Sequence, residues 1–169
     1  SFFCHLPLSR YVEGLSMDPS LFQKKASSSP IYGVVGLGLT GCSVVSFLAG
    51  KGWSVAAMDT REEPPLYADL RIKHPDVFFV LGALDYDILK HCEEVVVSPG
   101  VPLEHPTLQR LKKNGKKIIG DIELFIRHAD APFIGITGTN GKTTVTTMVH
   151  KMLLSSGVDC LAGGNLGTP

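Results

Sequence analysis

The chain has 169 residues, 44% of them hydrophobic and 19% charged, a composition that fits a folded globular protein able to bury a core and argues against overall disorder. Its 16 basic residues balance 16 acidic ones, so no net field draws it to nucleic acid or an anionic membrane, and any anion it binds must be held locally. No apolar run reaches the roughly 18 residues that span a bilayer, and the opening SFFCHLPLSR lacks the basic and long apolar regions of a signal peptide, so neither membrane insertion nor export is expected.

Residues 1–30 show no sustained period and close on KKASSSP, which reads as a flexible lead; Met17 is a candidate native start, with residues 1–16 an upstream extension. From Ile31 onward, short β-rich runs alternate with segments of helical period, the pattern of an α/β chain with a parallel sheet covered by helices. Strands are expected near 31–36, 53–58, 77–80, 94–97, 117–119, 133–137 and 158–162. Helices are expected near 40–51, 66–73, 84–91, 105–114, 121–128 and 142–156. In the last of these, Val145, Met148, Val149, Met152 and Leu153 follow the spacing of one buried stripe, and Gly157 stands where a C-terminal cap belongs.

The composition changes at GDIELFIRHADAP, so the chain divides near Gly120 into the lead 1–30, a domain 31–120 and a second part 121–169. That second part has 49 residues, too few for an adequate core of its own, and reads as the truncated start of another α/β domain. Cys4, Cys42, Cys92 and Cys160 are scattered without a C-x-x-C, which points to free thiols in a reducing compartment, the cytoplasm first. His74, His105 and His128 read as surface or capping residues, and the pairs Glu62–Glu63 and Glu93–Glu94 as solvated ends of elements.

Two glycine loops carry the chemistry. In YGVVGLGLTG, Gly36-x-Gly38-x-x-Gly41 follows a β-rich run and precedes a helix, and Asp59 lies 18 residues beyond Gly41 at the end of the next apolar run. Such glycines allow a tight turn and close approach of an anion to the helix N-terminus, while the acid usually accepts from a ribose hydroxyl. A dinucleotide such as NAD(P) or FAD is therefore one reading, and a Rossmann-like fold that holds some other ligand is the other.

The second loop, FIGITGTNGKTTVTT, runs from an apolar segment through Gly138-Thr139-Asn140-Gly141-Lys142-Thr143-Thr144 into a helix, the order of a nucleoside triphosphate loop. Backbone N–H groups from Gly138 to Lys142 would cradle phosphate oxygens, the Lys142 ammonium would neutralise the β- and γ-phosphates, and the Thr143 hydroxyl would ligate Mg²⁺. The general pattern places its first glycine at position 136, where this chain has Ile136.

The GTNGKTT variant resembles the ATP loop of the Mur ligase superfamily. GLGLTG at 36–41, DTR at 59–61, SPG at 98–100, GDIELF at 120–125 and GGNLGTP at 163–169 are similar, in order, to the branch of that superfamily that adds D-glutamate. The resemblance covers about residues 31–169 and implies a Rossmann-like domain that holds a UDP-sugar rather than NAD, followed by the start of a P-loop ATPase domain. It implies an ATP- and Mg²⁺-dependent amide ligase of peptidoglycan precursor synthesis that joins D-glutamate to UDP-N-acetylmuramoyl-L-alanine through an acyl phosphate.

By the same resemblance Leu39 and Thr40 lie against the uracil and diphosphate side, and Asp59, Thr60 and Arg61 surround the base. Ser98, Pro99 and Gly100 sit at a carboxyl edge of the sheet, and Asn165 faces the muramoyl part. Lys142 and Thr143 are the candidate catalytic residues. Bland alternatives remain for several of these: a solvated charge for Arg61 beside Glu62 and Glu63, a plain turn for Ser98–Gly100, and a turn residue tolerant of positive φ for Asn165. Further metal ligands, a carbamylated lysine and the domain that binds the amino acid are expected beyond Pro169, so the chain by itself is expected not to turn over; a monomer is expected. The remaining alternatives are an NAD(P)-binding module without ligase activity and a Mur-type ligase with another acceptor.

Overall fold

The computed structural model describes residues 31–163, and the lead 1–30 and Asn165 lie outside the described residues. Five strands form one parallel sheet: β1 (Ile31–Val35), β2 (Ser54–Asp59), β3 (Phe78–Leu81), β4 (Glu94–Val97) and β5 (Lys117–Gly120). Helices α1 (Leu39–Gly50), α2 (Tyr67–Lys73), α3 (Tyr86–Leu89), α4 (Pro106–Lys113) and α5 (Asp121–His128) follow them in alternation, and α6 (Lys142–Ser155) lies further on. The sheet order is β3-β2-β1-β4-β5, so the chain winds outward from β1 to one side and then restarts at β4 on the other. The crevice at the carboxyl ends of β1 and β4 is the topological switch point, where open α/β sheets bind ligands.

The near-continuous apolar strands are explained by burial on both faces. Along β2, Val55 and Ala57 enter one core with Val34, Val45, Leu48, Leu70 and Val96, while Ala56 and Met58 enter the other with Val35, Leu89, Val95 and Leu108. Helix α1 covers the first face through Val45 and Leu48, and α4 covers the second through Leu108 and Leu111. Local signals fix where helices start: the Asp85 carboxylate accepts from the Asp87 and Ile88 N–H groups at α3, and His105 Nδ1 accepts from the Thr107 N–H ahead of Pro106 at α4. His105 is thus a capping residue, and Glu94 is not a solvated end, since it pairs with Lys117 across β4 and β5.

The contacts part the chain between Phe125 and Ile126, inside α5. Beyond that point two expectations are corrected. Residues 133–137 and 158–162 form no strands, because a strand exists through its ladder partner and neither run has one among the described residues. The expected buried stripe of α6 is also not buried: Val145, Met148 and Met152 are exposed and only Val149 and Leu153 are half-buried, since no apolar layer packs on that face among the described residues. Gly157 does terminate α6: at φ 79° it allows the Val158 N–H to reach the Leu153 carbonyl and its own N–H to reach that of Leu154.

Cys42, Cys92 and Cys160 are free thiols. Burial against α3 pushes the Cys92 thiol up to about 12, and its Sγ lies toward the Ile88 carbonyl. Because the thiolate is the reacting species, Cys92 is expected to resist alkylation at pH 8 in the folded chain and to react on addition of denaturant; peptide mass mapping after iodoacetamide treatment checks this.

Candidate functional site

The site is built on one peptide unit, that joining Gly36 to Leu37 just past the carboxyl end of β1. Gly36 takes φ 93°, which turns the chain out of the strand, and its N–H donates to the Met58 carbonyl of β2 at 2.8 Å. The carbonyl of this peptide accepts from the Ser98 hydroxyl at 2.9 Å. Its N–H, carried by Leu37, donates to Asp59 Oδ2 at 2.7 Å. Ser98 follows β4 and Asp59 ends β2, the two neighbours of β1, so side chains from both sides hold one peptide plane.

Gly41, the third glycine of the motif, completes the turn from above. A Cβ on Gly41 would lie 1.7 Å from the Gly36 carbonyl oxygen and 2.7 Å from Ser98 Oγ, so α1 reaches this depth only because position 41 has no side chain. The helix starts at Gly38 without a side-chain cap or an acidic residue in its first turn. Its first N–H groups and the positive end of its dipole thus remain available to an anion.

Asp59 is buried, with 3% of its surface exposed, and its carboxylate is fully used. Oδ1 accepts from the Arg61 backbone N–H and from Arg61 Nε, each at 2.9 Å. Oδ2 accepts from the Leu37 N–H and from Arg61 Nη2, each at 2.7 Å. Burial alone would raise the pKa of Asp59, but the Arg61 side-chain bonds, the two backbone N–H groups and the guanidinium charge outweigh it and hold the carboxyl below its usual range. Arg61 is therefore no free solvated charge; its fork is spent on Asp59, although half of its side chain stays exposed. Behind the turn, burial and then the charge of Asp59 raise the Cys42 thiol, which behaves as a small neutral group.

Around this frame Leu39 is 59% exposed at the start of α1, Thr40 is half-buried beside it, and Thr60 is exposed after β2. Pro99 and Gly100 are exposed in a turn closed by the Val101 N–H on the Ser98 carbonyl at 3.0 Å. The first unit thus gathers Leu39, Thr40, Asp59, Thr60, Arg61, Ser98, Pro99 and Gly100 at the carboxyl edge of three strands, with Asp59 and Ser98 facing the backbone. The role of the Leu37 N–H was not read from the sequence, since nothing in a residue's identity marks its main-chain donor.

The second unit carries the other loop. Gly138 adopts φ 153° and Gly141 φ 76° directly before α6, and residues 138–144 are all exposed. Lys142 Nζ donates to the carbonyl of Gly138 and lies 3.5 Å from that of Thr139, so the ammonium folds back over its own loop. Thr143 stands in the first turn of α6, which contains no acidic side chain. No group of three or more His, Cys, Asp or Glu converges among the described residues, and no helix among them is long and apolar enough to cross a membrane.

The family model of the Mur ligase MurD-like N-terminal domain matches residues 31–120. Proteins named "UDP-N-acetylmuramoylalanine--D-glutamate ligase" from Hahella chejuensis and Pseudomonas savastanoi pv. phaseolicola are 50% and 52% identical over 136 residues, which is 80% of this chain. The chain spans 30% of the length of these curated relatives. Among solved structures, a pseudomurein peptide ligase type C from Methanothermus fervidus matches with a TM-score of 0.52 and 27% identity, over 76% of this chain and 27% of that one. UDP-N-acetylmuramate-alanine ligase MurC from Thermotoga maritima matches with a TM-score of 0.50 and 23% identity, over 74% of this chain and 29% of that one, a likeness of fold.

Helix propensity favours Ala over Gly by about 1 kcal/mol, whereas the 1.7 Å approach to a backbone oxygen opposes it at position 41. Gly41→Ala is expected to destabilise the chain by about 1–3 kcal/mol, the range for overpacking, in urea unfolding; a stabilised variant would refute the packing account. For Asp59 the folded pKa is lowered, so its contribution is present above the unfolded value of about 3.9 and is lost as the pH falls through the lower folded value. The stability gap between the parent chain and Asp59→Asn, which mimics the protonated acid, should therefore narrow in acid; a gap that stays constant from neutral pH to about pH 2 would remove the carboxylate from this role.

Proposed function

The chain belongs to the Mur ligases through a MurD-like N-terminal domain, and from that premise we propose that its parent protein adds D-glutamate to UDP-N-acetylmuramoyl-L-alanine with ATP, in the cytoplasm. The observation that carries this reading is the identity of about half over 136 residues to ligases of that name. We further propose residues 31–120 as the UDP-sugar domain and 121–169 as the beginning of the ATP-binding domain.

In the first domain the uncapped N-terminus of α1 would take the diphosphate, with Thr40 donating its hydroxyl where the helix begins. Leu39 and Thr60 would flank the base, and Arg61 would present its remaining Nη1 donors toward base carbonyls. Pro99 and Gly100 would border the sugar, and Asn165 its muramoyl part. Asp59 and Ser98 would serve this ligand through the peptide they hold.

The second loop fits an anion: its glycines take positive φ, its residues are exposed and no carboxylate stands in the first turn of α6. Gly138, Thr139, Asn140, Gly141 and Thr144 would wrap the phosphates, and Thr143 would supply a hydroxyl to Mg²⁺. Bound MgATP supplies the phosphoryl group that activates a carboxylate toward an amine. Lys142, which spends its charge on two loop carbonyls, would swing onto the β- and γ-phosphates and offset charge developing in transfer.

Calorimetric titration of the full chain with UDP-N-acetylmuramoyl-L-alanine should give saturable heat, and a folded sample without it would defeat the substrate assignment. In the full-length protein, Lys142→Ala should lower D-glutamate-dependent phosphate release by about 100-fold or more, the scale for losing one preorganised electrostatic group, with the UDP-sugar affinity unchanged. Equal loss of both would place Lys142 outside the transfer step.

A further inference from the structure

We propose that Arg61 sets the nucleotide specificity of the β1 turn by occupying the carboxylate that a dinucleotide would need. The inference rests on the UDP-sugar reading but concerns what the site refuses. The sequence Gly36-x-Gly38-x-x-Gly41 with Asp59 has the parts of an NAD turn, in which the acid accepts from the ribose hydroxyls. A carboxylate offers about four acceptor positions. Here the Leu37 N–H, the Arg61 N–H, Nε and Nη2 fill all four, at 2.7 to 2.9 Å.

Two of these four bonds come from the backbone and set the turn, so they are common to any ligand. The other two come from the guanidinium, whose side chain is half exposed while the carboxylate it grips is nearly fully buried. A ribose diol would have to displace a bidentate, charge-assisted pair and leave the guanidinium without its partner, an exchange that weakens binding. Nor does Arg61 serve as the arginine of an NADP site. Its charge is matched by Asp59 at 2.7 Å, and the pair offers a 2′-phosphate no net attraction.

Arg61→Ala uncovers two acceptor positions while the Leu37 and Arg61 N–H groups still bind the carboxylate, so the turn keeps its frame. Titrations of the full chain use ADP-ribose, with and without a 2′-phosphate, and in parallel UDP-N-acetylmuramoyl-L-alanine. The parent chain should give no saturable heat with either ADP-ribose form at millimolar concentration. Arg61→Ala should bind ADP-ribose at least tenfold more tightly than the parent, and adding Asp59→Asn should abolish the gain, since the acceptor is the carboxylate.

Arg61→Met, which keeps an apolar stem without the fork, is carried alongside with circular dichroism as a check on folding. A folded Arg61→Ala with no gain toward ADP-ribose overturns the proposal, as does binding of either form by the parent. Unfolding of both variants also overturns it, because Arg61 would then be a structural residue. Failure of the parent to bind the UDP-sugar strikes the proposed function, and the gain in Arg61→Ala is read independently of it.

Discussion

The first unit depends on the orientation of one peptide. With Gly36 C=O held from β4 by Ser98 and Leu37 N–H held from β2 by Asp59, the exit from β1 cannot rotate without breaking bonds to both neighbouring strands. The direction of α1 follows, because Gly38 starts the helix only two residues later. The donors that face the crevice are therefore aimed before any ligand arrives, which spares the ordering cost that a flexible loop would meet on binding.

The cost of this arrangement falls on side-chain size. Gly36 has a φ that L side chains rarely adopt, and a Cβ there would lie 2.5 Å from Val101. Gly41 leaves no room at all above the Gly36 carbonyl. The two sheet faces make such close approach possible, since α1 is drawn onto β1 by Val45 and Leu48, both fully buried. Core packing thus supplies the force that seats the turn, and the polar clamps decide which way its peptide points.

Much of this was legible in the sequence. The five sheet strands and their helices follow from β-rich runs alternating with helical periods, and the crevice follows from the glycine motif after the first strand. What periodicity cannot carry is a partner. Residues 133–137 and 158–162 have strand composition yet no ladder among the described residues, and α6 has a helical apolar spacing with Val145, Met148 and Met152 exposed. An apolar pattern states which face seeks burial, whereas burial requires a second surface. The same limit applies at Asp59: the sequence marks an acid at a strand end, and only the fold reveals that its oxygens are taken by Leu37 and Arg61.

That distinction bears on how glycine-rich turns are read. The glycines and the acid specify a backbone geometry, and a backbone geometry serves any ligand with an anionic group near the helix N-terminus. Selectivity must then come from what the acid faces. At Asp59 the burial that would favour protonation is outweighed by four donors, so the group stays charged and serves as an internal brace. An acid with two open lone pairs at the same place would invite a diol. A change two residues downstream, from a short side chain to one able to fold back as Arg61 does, can therefore redirect the turn to another ligand class with no change in fold.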